Sequence, residues 1–283
     1  MKNTCLVLGA TGRFGRHCAD TFESHGWRVA KFRRGIDDLH ALAHEADVIV
    51  FGWNPKYPDW DRDCRTLITQ AIEAARVNNA MILFPGNVYV YGTNQDQVWG
   101  ASTPRSAVNA LGQVRIEMEQ MLRQSGVKTA IIRSGDYIDI EKSGNWFDSI
   151  LVKKLHKGVL TYPGNVDARH AWAYLPDVAR AVVGLAEMRH QLGQFTEVSV
   201  RGYCLTAHDL AEVISRVTGQ AITVKKMSWL PIRLVSPFLK MGRCLLSMSY
   251  LWDHPHDLDD TDLRSYLPEF RETPIEMAIS QAI

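Results

Sequence analysis

The chain has 283 residues, of which 46% are hydrophobic and 22% charged, and its net charge is +1. These values are typical of a globular protein with a large buried core, and the near-neutral charge gives no indication of a nucleic-acid partner. No apolar run reaches the roughly 18–20 residues of a membrane span. The N-terminus shows no signal peptide, and the five cysteines form neither a CxxC pair nor an even framework. We therefore expect a cytoplasmic protein that holds no metal and has no membrane partner.

The beginning of the chain carries the pattern on which the fold prediction depends. The apolar run 5–8 predicts a buried strand, Gly9, Gly12 and Gly15 follow at three-residue spacing, and a helical pattern comes after them. A strand, a glycine-rich turn and a helix together place a pyrophosphate at a helix N-terminus. The first glycine permits the tight turn, the second lets the backbone approach the phosphate, and the third lets the helix lie close to the strand. The context favours dinucleotide binding over a merely structural turn.

Two arginines indicate which dinucleotide binds. The run 27–32 predicts the second strand, and Arg33 and Arg34 follow at its carboxyl end. In this fold an acidic residue at that position binds the 2′-hydroxyl of NAD, whereas arginine accommodates the 2′-phosphate of NADP. The planar guanidinium donates two hydrogen bonds to phosphate at once. We expect NADP, with NAD possible, and the alternative interpretation is a pair of solvated loop arginines.

The rest of the chain alternates strands and helices as a doubly wound α/β fold does. Only about a dozen residues separate Arg34 from the next strand, so one strand is missing or vestigial and the adenine side should be relatively open. The following predicted elements are a helix at 37–45, a strand at 47–52, a helix at 59–77, a strand at 80–84, a helix at 108–125, a strand at 128–133, a helix at 144–156, a helix reaching about residue 188, a strand at 197–200 and a helix at 207–218.

The predicted fold class is α/β, with a Rossmann-type doubly wound parallel sheet and a smaller C-terminal substrate-binding region. The NAD(P)-binding domain is expected at 1–135, with 171–190 returning to it. Residues 136–170 and 191–283 are expected to form the smaller region. Polar loops leave the carboxyl ends of predicted strands, which is where ligands bind in open α/β sheets.

Four motifs carry a resemblance to a known family. They are the glycine-rich turn 9–15, the strand-turn 87–92, the segment 174–179 and the segment 273–276. In this order they make the chain similar to the extended short-chain dehydrogenase/reductase family, which comprises NAD(P)-dependent sugar epimerases, dehydratases and reductases. The resemblance covers nearly the whole chain.

The family's catalytic residues are not all present. The family uses a serine or threonine, then a tyrosine and a lysine four residues apart on a helix, and the lysine lowers the tyrosine pKa so that the phenol exchanges a proton with the substrate. The motifs place Asn87 at the serine position, Leu111 at the tyrosine and Arg115 at the lysine, whereas Glu119 matches the family. Leucine cannot move a proton, and arginine is not equivalent to lysine. The resemblance therefore implies an atypical member in which Arg115 could still bind the ribose and Asn87 a carbonyl oxygen.

Tyr89 is the first candidate for the missing acid, because it lies on the turn of Asn87 near the expected cofactor. Tyr91 corresponds to a tyrosine that packs in the family, so a structural role is favoured for it. Other proton donors near the expected site are Asp136, Tyr137, His170 and Tyr174.

The remaining candidate residues bind cofactor or substrate. The implied cofactor set is Gly9, Thr11, Gly12, Arg13, Phe14, Gly15, Arg33, Arg34, Gly52, Trp53, Asn87 and Arg115. The expected substrate pocket contains Tyr137, Asn145, Trp146, Arg169 and His170, although ordinary packing and a loop histidine are open alternatives.

Three functional hypotheses follow. The first is an NADP-dependent oxidoreductase or epimerase/dehydratase-like enzyme on a small carbonyl or sugar-type substrate. The second is a non-catalytic NADP(H)-binding sensor or regulatory protein, suggested by the lost tyrosine and lysine. The third is a peripheral membrane or complex-assembly factor that docks through 229–252, a segment for which a lid or dimer contact is the commoner role. The family resemblance also implies a homodimer formed by the helices 59–77 and 108–125.

Overall fold

A central sheet with helices on both faces dominates the protein, which a computed structural model describes over residues 2–93 and 97–283. In chain order the first elements are β1 (Thr4–Leu8), α1 (Arg13–Ser24), β2 (Arg28–Phe32), α2 (Leu39–Ala43), β3 (Val48–Phe51), α3 (Trp60–Val77), β4 (Met81–Gly86), β5 (Val98–Trp99) and α4 (Ala110–Gln124). The later elements are β6 (Thr129–Ser134), β7 (Asp136–Ile138), β8 (Val159–Tyr162), β9 (His170–Tyr174), α5 (Leu175–Glu187), β10 (Phe195–Val200), β11 (Tyr203–Leu205), α6 (Ala207–Thr218), β12 (Thr223–Lys226), α7 (Leu230–Val235), α8 (Lys240–Met248), β13 (Asp257–Leu258), α9 (Thr261–Tyr266) and α10 (Ile275–Ala282).

The sheet has the order β10-β6-β4-β3-β1-β2, and every pair of neighbours is parallel. Helices α1 and α5 pack together on one face, and α3 and α4 pack together on the other. Strands β1, β3 and β4 are apolar apart from Thr4, as expected for a parallel sheet covered on both faces, whereas β2, β6 and β10 also carry charged side chains. The predicted doubly wound α/β fold is confirmed.

The chain changes direction between β1 and β3, because β2 pairs with one side of β1 and β3 with the other. Such a switch point opens a crevice at the carboxyl ends of the strands. Strand β2 lies at the edge of the sheet, and the five-residue α2 is the only helix between β2 and β3. The prediction that one strand is missing on this side is therefore confirmed.

The glycine-rich turn joins β1, β3 and α1 at very short range. Gly9 has a φ of +83°, and a Cβ placed there would lie 2.7 Å from the carbonyl oxygen of Gly52. A Cβ at Gly15 would lie 2.3 Å from the carbonyl oxygen of Gly9. Only glycine permits both the left-handed turn and this approach of helix to strand.

A smaller region covers the carboxyl side of the sheet. It contains the three-stranded sheet β11-β9-β7, the pair β12–β8 and the helix α6, which share one apolar core. Strand β10 falls within 191–283 of the predicted substrate region, yet it is the sixth strand of the large sheet. The assignment of residues 195–200 is corrected accordingly, and the rest of the proposed division stays a prediction.

One further expectation needs correction. The helix expected at 144–156 is a π turn at Phe147–Leu151 and a 3-10 turn at Leu155–Lys157.

Asp177 lies in the first turn of α5, and its carboxylate accepts hydrogen bonds from the backbone N–H and the hydroxyl of Thr273, both at 2.7 Å. This contact joins the motif at 174–179 to the motif at 273–276.

Candidate cofactor and substrate cavity

A cavity of about 1050 Å³ opens at the carboxyl ends of the central strands, at the switch point. The glycine-rich turn forms one end, and the turn that follows β4 and the segment that follows β6 form the other. The walls come from the loop 52–57, the loop 143–150 and the hairpin of α7 and α8. The cavity therefore extends from the glycine-rich turn of the sheet to the smaller region.

The N-terminus of α1 presents free backbone donors to this cavity. Its N-cap is Gly12, which has no side chain to bond the first N–H groups, and the first turn holds no acidic residue. Thr11, Gly12, Arg13 and Phe14 line the cavity here. A helix N-terminus left without a side-chain cap is suited to an anion, and its glycine lets a phosphate approach closely. The residues present thus fit the pyrophosphate of a dinucleotide.

The two arginines after β2 have different surroundings. Arg33 donates to the carboxylate of Asp37 from Nε at 3.1 Å and from Nη2 at 2.7 Å, and it does not line the cavity. Arg34 lines both the main cavity and an adjoining one of about 530 Å³, and its guanidinium lies 5.2 Å from the ring centroid of Trp53. Arg34 forms no ion pair within the described chain, so its donors are available to a ligand. The adjoining cavity beside it, on the open edge of the sheet, has the position expected for adenine.

Arg115 brings a buried positive charge to the opposite end. Its Nη2 donates to the carbonyl of Pro85, its Nε has no partner among the described residues, and its guanidinium lies 4.4 Å from the ring centroid of Phe84. Burial lowers the pKa of Arg115, an effect that Glu119 opposes. Asn87 lines the same end, and its side-chain oxygen accepts the backbone N–H of Tyr89 at 3.1 Å. The amide therefore shapes the turn that carries the tyrosine.

Two phenols meet at this end of the cavity. The hydroxyls of Tyr89 and Tyr57 are 2.6 Å apart, and both residues line the cavity. Burial raises the pKa of Tyr89 well above its ordinary value, and the neighbouring Tyr57 and the charge of Asp136 raise it further. Burial also raises the pKa of Tyr57. A phenol with a raised pKa stays protonated at neutral pH and can offer a hydrogen bond, but it is a weaker acid than an ordinary tyrosine.

A carboxylate with a histidine behind it faces the same space. Asp136 lines the cavity, and its Oδ2 lies 2.8 Å from Nε2 of the buried His170. The imidazole stacks on Trp252 at 4.3 Å, and its Nδ1 has no hydrogen-bond partner in the described chain. Tyr137 stands next to this pair, with its hydroxyl 3.2 Å from Oγ of Ser134.

The wall opposite the sheet is apolar. Ile232 of α7 and Met241 and Leu245 of α8 line the cavity together with Trp146 and Ile150. The segment 229–252 therefore contributes a wall of the cavity, as expected for a lid of a substrate region. Within residues 2–93 and 97–283, no helix is both long and apolar enough to cross a membrane.

The structure brings most of the predicted site residues together. Those that line the cavity are Tyr89, Asn87, Arg115, Gly9, Thr11, Gly12, Arg13, Phe14, Arg34, Gly52, Trp53, Tyr137, Asn145 and Trp146. Four predicted residues do not line it. Gly15 packs against Gly9, Arg33 pairs with Asp37, the exposed Arg169 lies outside, and His170 lies behind Asp136.

Some cavity residues were missed from the sequence. Tyr57 follows the carboxyl end of β3, in a loop whose position after a strand was a usable signal. The apolar side chains of α7 and α8 gave no comparable signal, because their place in the wall depends on how the hairpin packs.

Comparisons with known proteins support the fold. No protein-family model and no curated protein matches the chain. Among solved structures, UDP-N-acetylglucosamine 4-epimerase from Bacillus cereus is 14% identical with a TM-score of 0.76, over 99% of this chain and 98% of that one. WbmH from Bordetella bronchiseptica, in complex with NAD+, is 18% identical with a TM-score of 0.72, over 100% and 97%. UDP-glucose 4-epimerase from Brucella ovis, in complex with NAD, is 16% identical with a TM-score of 0.75, over 99% and 97%. These solved structures share the fold of this chain over nearly its whole length.

Proposed function

We propose that the protein is an NADP-dependent oxidoreductase of the epimerase/dehydratase type that reduces a carbonyl group of a small or sugar-type substrate. The observation that carries this proposal is the Tyr89–Tyr57 phenol pair, which faces the same cavity as the uncapped N-terminus of α1. The UDP-sugar epimerases among the solved neighbours support nucleotide sugars as the first substrates to test. A cytoplasmic location and a homodimer stay predictions.

The residues of this chain divide the binding of the cofactor among them. The N-terminus of α1 would hold the pyrophosphate, and Arg34 would hold the 2′-phosphate while Trp53 supports its guanidinium. Arg115, which lines this end of the cavity, would contact the nicotinamide ribose in the place of the family's lysine. Asn87 would hold the turn that presents Tyr89.

The protein's own contribution to the chemistry is a proton. When bound, the nicotinamide supplies the hydride. Tyr89 would donate its proton to the carbonyl oxygen of the substrate, and Tyr57 would replace that proton across the 2.6 Å contact. Tyr57 would then regain a proton from solvent after the product leaves. Both phenols are in the protonated form that reduction requires, and their raised pKa values make them weaker acids than an ordinary tyrosine.

Calorimetric titration with NADPH, NADP, NADH and NAD tests the cofactor assignment. We expect tighter binding of the two phosphorylated forms, and a loss of about tenfold or more in NADPH affinity in Arg34→Ala, since a charge-assisted pair to phosphate contributes about 1.5–3 kcal/mol. Arg33→Ala is the matched control, because Arg33 is held by Asp37, and its NADPH affinity should change little. An equal loss in both variants, or equal affinity for NADH, would contradict the NADP assignment.

A non-catalytic NADP(H) sensor is the second candidate. It is favoured by Leu111, which is buried in the apolar core and lines no part of the cavity. This alternative predicts tight NADPH binding without cofactor oxidation across a panel of nucleotide sugars and simple carbonyl compounds. Oxidation of NADPH with any member of the panel would exclude it.

A further inference from the structure

The outer face of the α7–α8 hairpin is apolar and open to solvent. Leu230, Leu234 and Phe238 are 60%, 67% and 86% exposed, and Val235 and Leu239 are exposed beside them. Leu230 and Leu234 are four residues apart on α7, so they share one face of the helix. Single exposed apolar residues are ordinary, but five within one short hairpin indicate a contact surface. We call these five residues the apolar patch.

The hairpin is held firmly at both ends, so the exposure of the patch is a property of the folded protein. Before α7, Nε1 of Trp229 donates to the carbonyl of Pro163 at 2.5 Å. After α8, the hydroxyl of Tyr250 donates to the carbonyl of Tyr91 at 3.0 Å. Where the two helices meet, Gly242 of α8 lets the backbones approach closely, because a Cβ at this position would lie 3.1 Å from Cα of Ser236.

The patch lies in a segment whose charged residues are all basic. Between Glu212 and Asp253 the sequence contains six lysines and arginines and no acidic residue, although the whole chain has a net charge of only +1. Arg216 is neutralised by Glu212. The other five are exposed, and none of them forms an ion pair with an acidic side chain in the part of the chain that the structure describes: Lys225, Lys226, Arg233, Lys240 and Arg243.

We propose that the apolar patch and the three cations of the hairpin, Arg233, Lys240 and Arg243, dock the protein onto an anionic lipid surface. The aliphatic and phenyl side chains would enter the boundary between headgroups and acyl chains, while the cations contact lipid phosphates. A second copy of the chain fits less well, because a two-fold contact through this face would bring like charges together. This inference does not depend on the cofactor assignment.

Docking through this face would bring the cavity close to the lipid. Leu230 and Leu234 face outward, whereas Ile232, between them on the same helix, lines the cavity. Met241 and Leu245 of α8 also line the cavity. The hairpin thus separates the cavity from the docking surface by the thickness of one layer of helices.

Flotation of the full-length protein with vesicles tests the proposal, using phosphatidylcholine alone and phosphatidylcholine mixed with phosphatidylglycerol. We expect binding to the anionic vesicles only. The Leu234→Ser/Phe238→Ser variant should bind the anionic vesicles at least about tenfold more weakly than the wild type, since it removes two inserting side chains. The Arg233→Gln/Lys240→Gln variant should also lose about tenfold, since each cation near an anionic surface contributes to binding. Ile36→Ser, at a residue that is 72% exposed outside the hairpin, is the matched control and should bind as the wild type does.

Circular dichroism and the unfolding midpoint show whether each variant is folded. The glutamine variant changes only exposed polar side chains and therefore gives an answer even if the serine variant unfolds. Failure of the wild type to float, equal flotation with uncharged vesicles, or unchanged binding of both hairpin variants would overturn the proposal. A wild-type dimer that dissociates in the serine variant, without vesicle binding, would assign the face to a second copy instead.

Discussion

Tyr89 and Tyr57 come from different loops, and their hydroxyl oxygens lie 2.6 Å apart. In the proposed reaction the two phenols act together as one proton donor. In the family, a lysine lowers the tyrosine pKa. Here the surroundings act in the opposite sense, because burial raises the pKa of both phenols, and Arg115 only partly opposes this at Tyr89. The pair therefore stays protonated at neutral pH and, as the proposed donor, would release a proton only to a more basic atom, such as the carbonyl oxygen that becomes an alkoxide as the hydride is transferred.

Removal of one hydroxyl at a time tests this interpretation. Tyr89→Phe should leave NADPH affinity unchanged and reduce the turnover of any active substrate by about 10²–10⁴-fold, the usual contribution of a general acid. Tyr57→Phe should reduce turnover less, since it removes the second donor and leaves the first. Calorimetry and NADPH oxidation measure the two effects separately. Full turnover in Tyr89→Phe would exclude the residue as the acid.

At this scale the sequence predicts residue types better than it predicts their surroundings. The sequence predicts Asn87, Tyr89 and Arg115 as site residues because they follow a strand end or replace residues of a motif, and all three line the cavity. Arg33 and Arg34 are equivalent in the sequence pattern, yet only Arg33 forms hydrogen bonds with the carboxylate of Asp37. His170 reaches the cavity only through Asp136, and that depends on how β7 and β9 pair.

Among the elements, the first strand, turn and helix depend most strictly on glycine. Gly15→Ala would normally favour a helix by about 0.5–1 kcal/mol. At this position the new Cβ would lie 2.3 Å from the carbonyl oxygen of Gly9, so α1 must move away from the turn. We expect a loss of about 1–3 kcal/mol in the free energy of unfolding and at least about tenfold weaker NADPH binding.

Gly193→Ala is the control for this change, because a Cβ there would meet nothing closer than 3.8 Å. Chemical denaturation and calorimetry measure both effects. A Gly15→Ala protein that binds NADPH as the wild type does would show that the close approach of α1 is not needed for the site.

Elements with a local signal are the ones that the sequence predicts well. Strands β1, β3 and β4 are nearly continuous apolar runs, and the glycine spacing fixes the first turn, so both can be recognised without tertiary information. The expected helix at 144–156 fails because Asp148 and Asn145 bond neighbouring backbone groups and compete with regular helical hydrogen bonds. The role of α7 and α8 in the cavity wall depends on packing, which periodicity alone does not indicate.

In the whole molecule, a group of buried histidines links the smaller region to the strand pair β5–β13. His256 stacks on Trp99 with ring centroids 4.8 Å apart and lies 4.5 Å from His170. Its Nδ1 contacts the carbonyl of His254 at 2.9 Å, and its Nε2 has no hydrogen-bond partner in the described chain. Burial, together with the charges that His170 and His254 could carry, lowers the pKa of His256 well below its ordinary value.

This lowered pKa predicts that the fold loses stability in mild acid. The unfolded chain takes up a proton at this histidine below about pH 6.5, whereas the folded chain does not, so the stabilisation is complete above that pH and declines as the pH falls. Between pH 7.5 and 5.5 one such histidine contributes a loss of about 1 kcal/mol in the free energy of unfolding. Urea denaturation at the two pH values should show this loss in the wild type and a smaller one in His256→Gln. The exposed His208→Gln is the control and should keep the wild-type dependence. An unchanged pH dependence in His256→Gln would mean that the imidazole is protonated in the folded protein and that its contact with Trp99 tolerates the charge.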